Sequence, residues 1–291
     1  PYAMGYARSV TDNHLSQTIM AVAEQKTSGT PAPDMVLWPE NSTDIDPVLD
    51  FESHQIVMGA LAISNRPILV GAVTDGPGKD ERQTASMWWP PSSPQPTSTY
   101  HKRNLVPFGE WIPARSFFLP LIPVLGNIGR QSVPGTTPGV LDATIAGQKV
   151  PVGVVVCFEV AHDGTVADTV RHGAKILVVQ SNNSSFIDTA QTPQQWQITR
   201  ARAIETGRHI VVSTTNSFSG LVNPDGSVAV RTNEGGHTHF TVTMPLESGL
   251  TMGVRIAPRL RVIILVIAAG AIAVSLLQRR RAMLAQANHN R

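Results

Sequence analysis

The chain has 291 residues, 42% of them apolar and 15% charged, a composition typical of a folded protein and unlike that of a disordered tail. Lysine and arginine (23) nearly balance aspartate and glutamate (21), and the formal net charge of +2 argues against the basic surface of a nucleic-acid-binding protein. Because Cys157 is the single cysteine, the chain can form neither an internal disulfide nor a paired CxxC metal site.

Residues 1–250 alternate short β-branched runs with helical patterns, which predicts one α/β domain. The almost continuous valine run at 150–156 is typical of a strand covered on both faces. Strands are predicted at 35–38, 68–73, 84–89, 97–102, 150–156, 176–180 and 210–215, with a hairpin at 221–228. Helices are predicted at 12–26, 46–64, 161–173 and 193–207.

The segment 107–139 combines many prolines and glycines with large apolar side chains, among them Trp111, Phe117 and Phe118. Two interpretations are open. The segment is either a lid that dips into lipid, or a long loop whose apolar side chains pack on the domain.

Residues 260–277 are apolar apart from Arg261 and Ser275, and three arginines follow at 279–281. As a helix this run would cross about 27 Å, near the thickness of the hydrocarbon core of a membrane. The sequence therefore predicts a transmembrane helix. Arginines flank both of its ends, so the charge pattern does not fix its orientation.

These patterns divide the chain into four parts. The α/β domain at 1–250 is followed by a juxtamembrane linker at 251–259, the transmembrane helix at 260–278 and a polar, basic tail at 279–291. The chain begins at Pro1 without an initiating methionine or a signal-peptide pattern, so we expect that a natural N-terminal part precedes it.

Three segments carry the residue types of a catalytic site. In the first, Glu40 follows Trp38 and Pro39 at the C-terminal end of a strand, where α/β folds collect functional groups. In the second, Lys102 ends an apolar strand, and Glu110 follows after a Pro-Phe-Gly turn. A lysine at the end of an apolar strand, followed by such a turn and a glutamate, differs from the typical charged residue of a protein surface.

The third segment is a buried strand that ends at Cys157 and is followed by Phe158, Glu159 and a predicted helix. Such an elbow exposes the nucleophile at the edge of the sheet and directs backbone N–H groups toward the reacting centre. A thiol at this position is expected to have a lowered pKa, and the thiolate is the nucleophilic form.

Together the three segments predict acyl chemistry on sulfur. Cys157 would supply the nucleophile, and Glu40 would take its proton and later activate a second substrate. Lys102 and the backbone N–H of Phe158 would stabilise the oxyanion of a tetrahedral intermediate.

The order Glu40, Lys102, Cys157 in these contexts resembles the Glu-Lys-Cys triad of the nitrilase, or carbon–nitrogen hydrolase, superfamily. The resemblance covers most of residues 33–230 and implies an α-β-β-α sandwich. Within the superfamily, residues 38–42, 106–113 and 157–159 resemble the apolipoprotein N-acyltransferase branch.

That resemblance implies that Glu40 is the general base, Lys102 the oxyanion stabiliser and Cys157 the acyl-accepting nucleophile. Phe158 stands where many members carry tyrosine. Three further residues are implied to support the active site: Glu110, Phe158 and Glu159.

The resemblance also implies a two-step reaction without a metal or an organic cofactor. Cys157 would take an acyl chain from a phospholipid as a thioester and pass it to the N-terminal amine of diacylglyceryl-cysteine in a lipoprotein. Members of the branch are polytopic proteins of the bacterial cytoplasmic membrane, with a bundle of helices before the nitrilase-like domain. Their catalytic domain lies on the extracytoplasmic side.

Three alternatives are weighed against this interpretation. The first is a nitrilase-type amidase that hydrolyses a small amide, against which the apolar C-terminal helix and the apolar loop argue. The second is a non-catalytic scaffold that binds lipid or protein, against which the Glu-Lys-Cys set argues. The third is a conventional Cys-His pair that uses His101 or His162.

Overall fold

The computed structural model describes the backbone of residues 4–289 and the side chains of residues 8–256, 259–260 and 262–280. The chain divides into two compact units between Gly249 and Leu250. The first unit contains two β-sheets and five α-helices, and the second is a single helix.

The first sheet has five strands in the order β1-β2-β3-β4, with β5 paired to β3. β1 and β2 are parallel, whereas β2, β3 and β4 are antiparallel. The strands are β1 (Val36–Leu37), β2 (Ile68–Asp75), β3 (Glu81–Trp89), β4 (Ser98–His101) and β5 (Gln131–Ser132).

The second sheet has six strands in the order β11-β10-β9-β8-β7-β6, and its centre, β7, β8 and β9, is parallel. The carboxyl ends of these central strands therefore meet at one edge of the sheet. The strands are β6 (Val140–Ile145), β7 (Gln148–Val156), β8 (Ile176–Ser181), β9 (Ile210–Thr214), β10 (Gly220–Val222) and β11 (Val228–Arg231).

Alternation along the strands builds two apolar layers. In β2, Ile68 and Val70 pack against a helix layer, whereas Leu69 faces the second sheet. The core between the sheets is formed by residues such as Leu69, Val152 and Val178. The helices of the first unit are α1 (Met4–Ser28), α2 (Phe51–Ser64), α3 (Arg115–Leu121), α4 (Asp163–Arg171) and α5 (Gln191–Thr206).

α1 and α2 cover the outer face of the first sheet, while α4 and α5 pack on the second. The predicted α-β-β-α sandwich is thus confirmed. The valine strand predicted at 150–156 is present as β7, and its residues 152–156 are all buried.

Two predicted helix starts differ from those in the structure. α2 begins at Phe51 rather than at 46, because the Asp50 carboxylate caps it by accepting the backbone N–H of Ser53 at 2.8 Å. α1 begins at Met4, earlier than the predicted 12. β5, β6 and α3 were not predicted from the sequence. β6 is an edge strand with alternating burial, and α3 contains Pro120.

The second unit consists of α6 (Met252–His289). The helix begins inside the segment expected to be a linker and continues through most of the expected polar tail. Its stretch Val262–Arg280 has a mean hydropathy of 2.2 and is long and apolar enough to cross a membrane. The side chains of Arg261 and Arg281, and residues 290–291 of the tail, lie outside the described part of the chain.

Candidate active site

Glu40 lies in a tight turn after β1 and is almost completely buried. One carboxylate oxygen, Oε2, accepts the backbone N–H of Asn182 at 2.7 Å, just beyond the end of β8. The turn packs directly on Gly71 of β2, where an added Cβ would lie 2.1 Å from the Pro39 carbonyl oxygen. The two sheets therefore fix Glu40 jointly, and only glycine fits beneath its turn.

Lys102 continues the line of β4 and is 2% exposed. Its backbone N–H still donates to the Thr84 carbonyl at 2.9 Å, which keeps it in register with β3. Its Nζ lies 3.1 Å from Glu40 Oε1 and 2.9 Å from Glu110 Oε1. The ammonium group is thus held between two carboxylates.

Glu110 is fixed by the loop that carries it. Its second oxygen, Oε2, accepts the backbone N–H of Val106 at 2.7 Å, which closes the turn between Lys102 and Glu110. This turn places the carboxylate of Glu110 beside the ammonium of Lys102, although the two residues are eight positions apart in sequence.

Cys157 forms a sharp elbow at the end of β7. Its φ of +50° lies in the left-handed region, which non-glycine residues rarely adopt, and a 3₁₀ helix at Cys157–Ala161 begins there. The side chain is 9% exposed. The next residue, Phe158, is half-exposed, and its ring meets His162 edge-on at 4.9 Å between centroids.

Glu159 is fully buried and ties the elbow to the lysine loop. Its Oε2 accepts the backbone N–H of Val156 at 2.9 Å. Its Oε1 accepts three donors: Tyr100 Oη at 2.7 Å, Arg103 N at 2.7 Å and Asn104 N at 3.1 Å. Glu159 therefore holds the residues that flank Cys157 against those that follow Lys102.

Two amide side chains contact the sulfur of Cys157, and neither was singled out from the sequence as a site residue. Sγ lies 3.9 Å from Asn183 Oδ1 and 3.8 Å from Gln195 Nε2. Asn183 follows β8, and Gln195 lies in the first turns of α5. Asn183 belongs to the loop expected after a parallel strand, but nothing local distinguishes Gln195 from the other glutamines of its helix.

The electrostatic environment of Cys157 differs from the expectation. Burial is the largest of the causes that raise the pKa of the thiol, the carboxylates of Glu40 and Glu110 also raise it, Lys102 opposes them, and the resulting pKa is about 12. The prediction of a lowered thiol pKa is therefore wrong for the resting site, because the elbow is desolvated. Burial therefore favours the protonated thiol at neutral pH.

Burial also raises the pKa of Glu40, although Lys102 and the backbone N–H of Asn182 act in the opposite direction. A carboxyl with a raised pKa is a stronger base once ionised, which suits proton transfer from a thiol. Burial alone would lower the pKa of Lys102, but Glu40, Cys157 and Glu110 raise it above its usual value, so the lysine stays charged.

The structure gives no support to a Cys-His pair. Among the described side chains, those that hydrogen-bond to Cys157 Sγ are Asn183 and Gln195. His162 lies against Phe158, and burial lowers the pKa of His101. Within the part of the chain that the structure describes, no three His, Cys, Asp or Glu side chains are grouped to hold a metal ion.

Comparison with known proteins agrees with this architecture. The profile of the carbon-nitrogen hydrolase family matches residues 56–249. The chain belongs to that family. The matched region includes Lys102, Glu110 and Cys157 but begins after Glu40.

Two similar relatives are both named apolipoprotein N-acyltransferase. The protein of Mycolicibacterium smegmatis is 35% identical over 280 residues, which cover 94% of this chain and 46% of the relative. That of Bdellovibrio bacteriovorus is 32% identical over 209 residues, covering 68% of this chain and 38% of the relative. The chain thus spans less than half the length of either relative.

Solved structures share the fold at low sequence identity. Saccharomyces cerevisiae Nit3, a member of the nitrilase superfamily, superposes with a TM-score of 0.54 at 16% identity and covers 77% of this chain and 82% of its own. An amidase of Nesterenkonia AN1 from the same superfamily gives a TM-score of 0.56 at 16% identity, and the match covers 78% of this chain and 82% of the amidase. At this identity the likeness concerns the fold alone.

Proposed function

We propose that this protein is an acyltransferase that moves a fatty acyl chain from a phospholipid, through a thioester on Cys157, to the N-terminal amine of diacylglyceryl-cysteine in a lipoprotein. The names of the similar relatives support the reaction class. One observation carries the chemistry: the buried Lys102 ammonium lies between Glu40 and Glu110 in the same site as the Cys157 sulfur.

In the first half-reaction, Cys157 Sγ attacks the ester carbonyl carbon of the phospholipid while its proton passes to the carboxylate of Glu40. The electrons of the C=O bond move to oxygen and form an oxyanion. When the tetrahedral intermediate collapses, the ester C–O bond breaks, and Glu40 returns the proton to the departing lysophospholipid oxygen.

Lys102 stabilises the oxyanion. Its ammonium has three N–H donors, and the described residues occupy two of them, Glu40 at 3.1 Å and Glu110 at 2.9 Å. The third is free to donate to a substrate oxygen. The backbone N–H of Phe158 supplies a second donor, and in a desolvated site such fixed donors contribute strongly to catalysis.

In the second half-reaction the lipoprotein amine attacks the thioester carbon. Glu40, again ionised, takes a proton from the attacking nitrogen, the C–S bond breaks, and the sulfur leaves with the bonding electrons. Glu40 then returns this proton to the departing sulfur, so the products are the N-acylated lipoprotein and the free Cys157 thiol. Each residue of the triad therefore acts in both halves of the reaction.

Glu110 and Glu159 support the site without reacting. Glu110 places a second negative charge on Lys102, which keeps it charged and oriented. Glu159 accepts the backbone N–H of Val156, just before the elbow, and those of Arg103 and Asn104 in the loop after Lys102. Phe158 contributes its backbone N–H, since its ring has no hydroxyl.

The apolar segment that includes α3 supports an acyl-chain substrate. Phe117, Leu121 and Val124 are each more than 60% exposed, whereas Ile112 is buried. Phe118 packs edge-on between Phe108 and Phe117. The segment thus has a packed base and an exposed apolar edge, which we assign as a lid that contacts the acyl chains of lipid.

The role we assign to α6 is to anchor the catalytic domain at the membrane that holds its lipid substrates. We assign Val262–Arg280 as a transmembrane helix in the cytoplasmic membrane of a bacterium, with the catalytic domain on the extracytoplasmic side. Both substrates carry acyl chains, and a membrane-anchored site takes them without extracting them into water.

Intact-protein mass spectrometry tests the proposal. The natural protein, purified in detergent, is incubated with phosphatidylethanolamine beside its Cys157→Ala variant. We expect a fatty-acyl mass increment on the wild type only, removable by hydroxylamine. No increment, with release of ammonia from small amides instead, would replace acyl transfer by amidase activity; a folded protein with neither activity would leave a non-catalytic scaffold.

A further inference from the structure

We propose that Gln195 is a further catalytic residue, whose carboxamide N–H donates to the sulfur of Cys157 and stabilises the negative charge that forms there. The inference rests on the proposed role of Cys157 as the nucleophile. It assigns a function to a side chain on α5, outside the three segments that carry the triad.

The position of the Gln195 carboxamide is fixed at both ends. Its Oε1 accepts Asn183 Nδ2 at 2.6 Å, and its Nε2 donates to Ser181 Oγ at 3.0 Å. The same Nε2 lies 3.8 Å from Cys157 Sγ. Because the oxygen end is held by Asn183, the N–H end faces the sulfur.

Asn183 supplies the complementary contact. Its Oδ1 lies 3.9 Å from Sγ and accepts a hydrogen bond from the thiol. Asn183 itself is 1% exposed. A neutral thiol can use both contacts, because it donates one hydrogen bond and accepts another. A thiolate can only accept, so it loses the contact with Asn183 and keeps the one with Gln195.

The hydrogen bond from Gln195 therefore strengthens as the sulfur becomes charged, which is the kind of interaction that accelerates a reaction. Charge accumulates on the sulfur twice in the cycle. It forms first as the thiol proton passes to Glu40 while the sulfur attacks the ester. It forms again when the amine displaces the sulfur, which leaves the acyl carbon with the bonding electrons.

Alkylation of Cys157 by iodoacetamide, between pH 8 and 10 and without any phospholipid, tests this role. Cys157 is the single cysteine of this sequence, and mass spectrometry of the peptide that carries it follows its alkylation alone. We expect Gln195→Ala to lower the alkylation rate about tenfold, the size expected for the loss of one charge-assisted hydrogen bond. A role in packing alone predicts the opposite, because a smaller side chain opens the path to the sulfur.

Gln194→Ala is the matched control, since Gln194 is the preceding, exposed residue of the same helix. Thermal unfolding identifies the folded variants; if Gln195→Ala does not fold, Gln195→Met fills the same space without an N–H donor and should show the same slow alkylation. A wild-type or faster rate in either folded variant overturns the role of Gln195 and leaves acyl transfer intact. Slow alkylation in a protein that forms no acyl-enzyme would instead support Gln195 and refute the proposed function.

Discussion

The carboxylate of Glu159 accepts the backbone N–H of Arg103 at 2.7 Å. Glu159 lies two residues after Cys157, and Arg103 lies one residue after Lys102, so this hydrogen bond joins the two loops of the site. The bond is fully buried on the Glu159 side, and the same oxygen also holds Asn104 and the Tyr100 hydroxyl. The distance between Cys157 and Lys102 therefore depends on a residue that hydrogen-bonds to neither the Cys157 sulfur nor the Lys102 ammonium.

We expect Glu159→Gln to lower the rate of acyl-enzyme formation more than tenfold and to destabilise the fold. The amide would turn one acceptor oxygen into a donor that faces backbone N–H groups, and each buried unpaired group costs about 1–3 kcal/mol. Thermal unfolding and mass spectrometry of the acyl-enzyme measure the two effects. Glu52→Gln, on the exposed start of α2, is the control, and equal behaviour of the two variants would contradict the role of Glu159.

Lys102→Met should lower the rate by about 10²-fold or more, as the loss of an oxyanion donor does. It should also lower the free energy of unfolding by about 3–5 kcal/mol, because Glu40 and Glu110 are left without their buried cation. Lys149→Met, at an exposed position of β7, is the control for both measurements.

The double variant Lys102→Met/Glu110→Gln separates these effects. Removing one of the two negative charges that face the missing cation should recover part of the lost stability but none of the rate. A near-normal rate in any of the variants that lack the lysine would remove Lys102 from the mechanism.

The raised pKa of Cys157 predicts how its alkylation depends on pH in the absence of lipid. Because the pKa is raised to about 12, the thiolate is a minor species at every pH below that value. Alkylation by iodoacetamide should be slower than that of free cysteine at pH 7 and should rise with each pH unit up to pH 10. The urea-unfolded chain should react like free cysteine, and a plateau near pH 7 in the folded protein would contradict the burial argument.

Gly71→Ala should inactivate the protein although Gly71 contacts no substrate. An added Cβ would lie 2.1 Å from Pro39 O and 2.8 Å from Glu40 Cα, so the turn that carries Glu40 must shift. We expect a loss of more than tenfold in acyl-enzyme formation. Gly59→Ala in α2 is the matched control, because its Cβ meets nothing within 4 Å and alanine favours a helix. Equal activity of the two variants would contradict the claim that Gly71 positions the turn of Glu40.

Phe117→Ser tests the lid. Removing this exposed ring should raise the KM for phospholipid in vesicles about tenfold, since burying a phenylalanine in lipid contributes about 1.5–3 kcal/mol. The melting temperature should not change. Ile204→Ser, which alters an equally exposed apolar residue of α5, should leave KM unchanged. A fall in stability without a change in KM would show that the ring belongs to the core.

Local pattern was enough to find many of the elements. A run of valines predicted β7 because β-branched side chains favour extended backbone and continuous burial. β6 was not predicted because its alternating residues follow a segment rich in proline and glycine, and it becomes a strand only through its pairing with β7. α3 was not predicted because it contains Pro120 and lacks a side-chain cap.

The sequence by itself identified Glu40, Lys102 and Cys157 as candidates, because each lies at the end of a predicted strand. The family resemblance added Glu110, Phe158 and Glu159 as supporting residues. The sequence also revealed the apolar stretch of α6, since hydropathy and length can be read from consecutive residues.

Only the tertiary structure decided how these groups act on one another. The contact between Asn182 and Glu40 joins residues 142 positions apart, and that between Gln195 and Cys157 joins residues 38 apart. The raised thiol pKa likewise follows from burial, which depends on how two sheets and a helix close around the sulfur. Periodicity records which face of an element is apolar, but the partner of a buried polar group is set only when distant segments pack together.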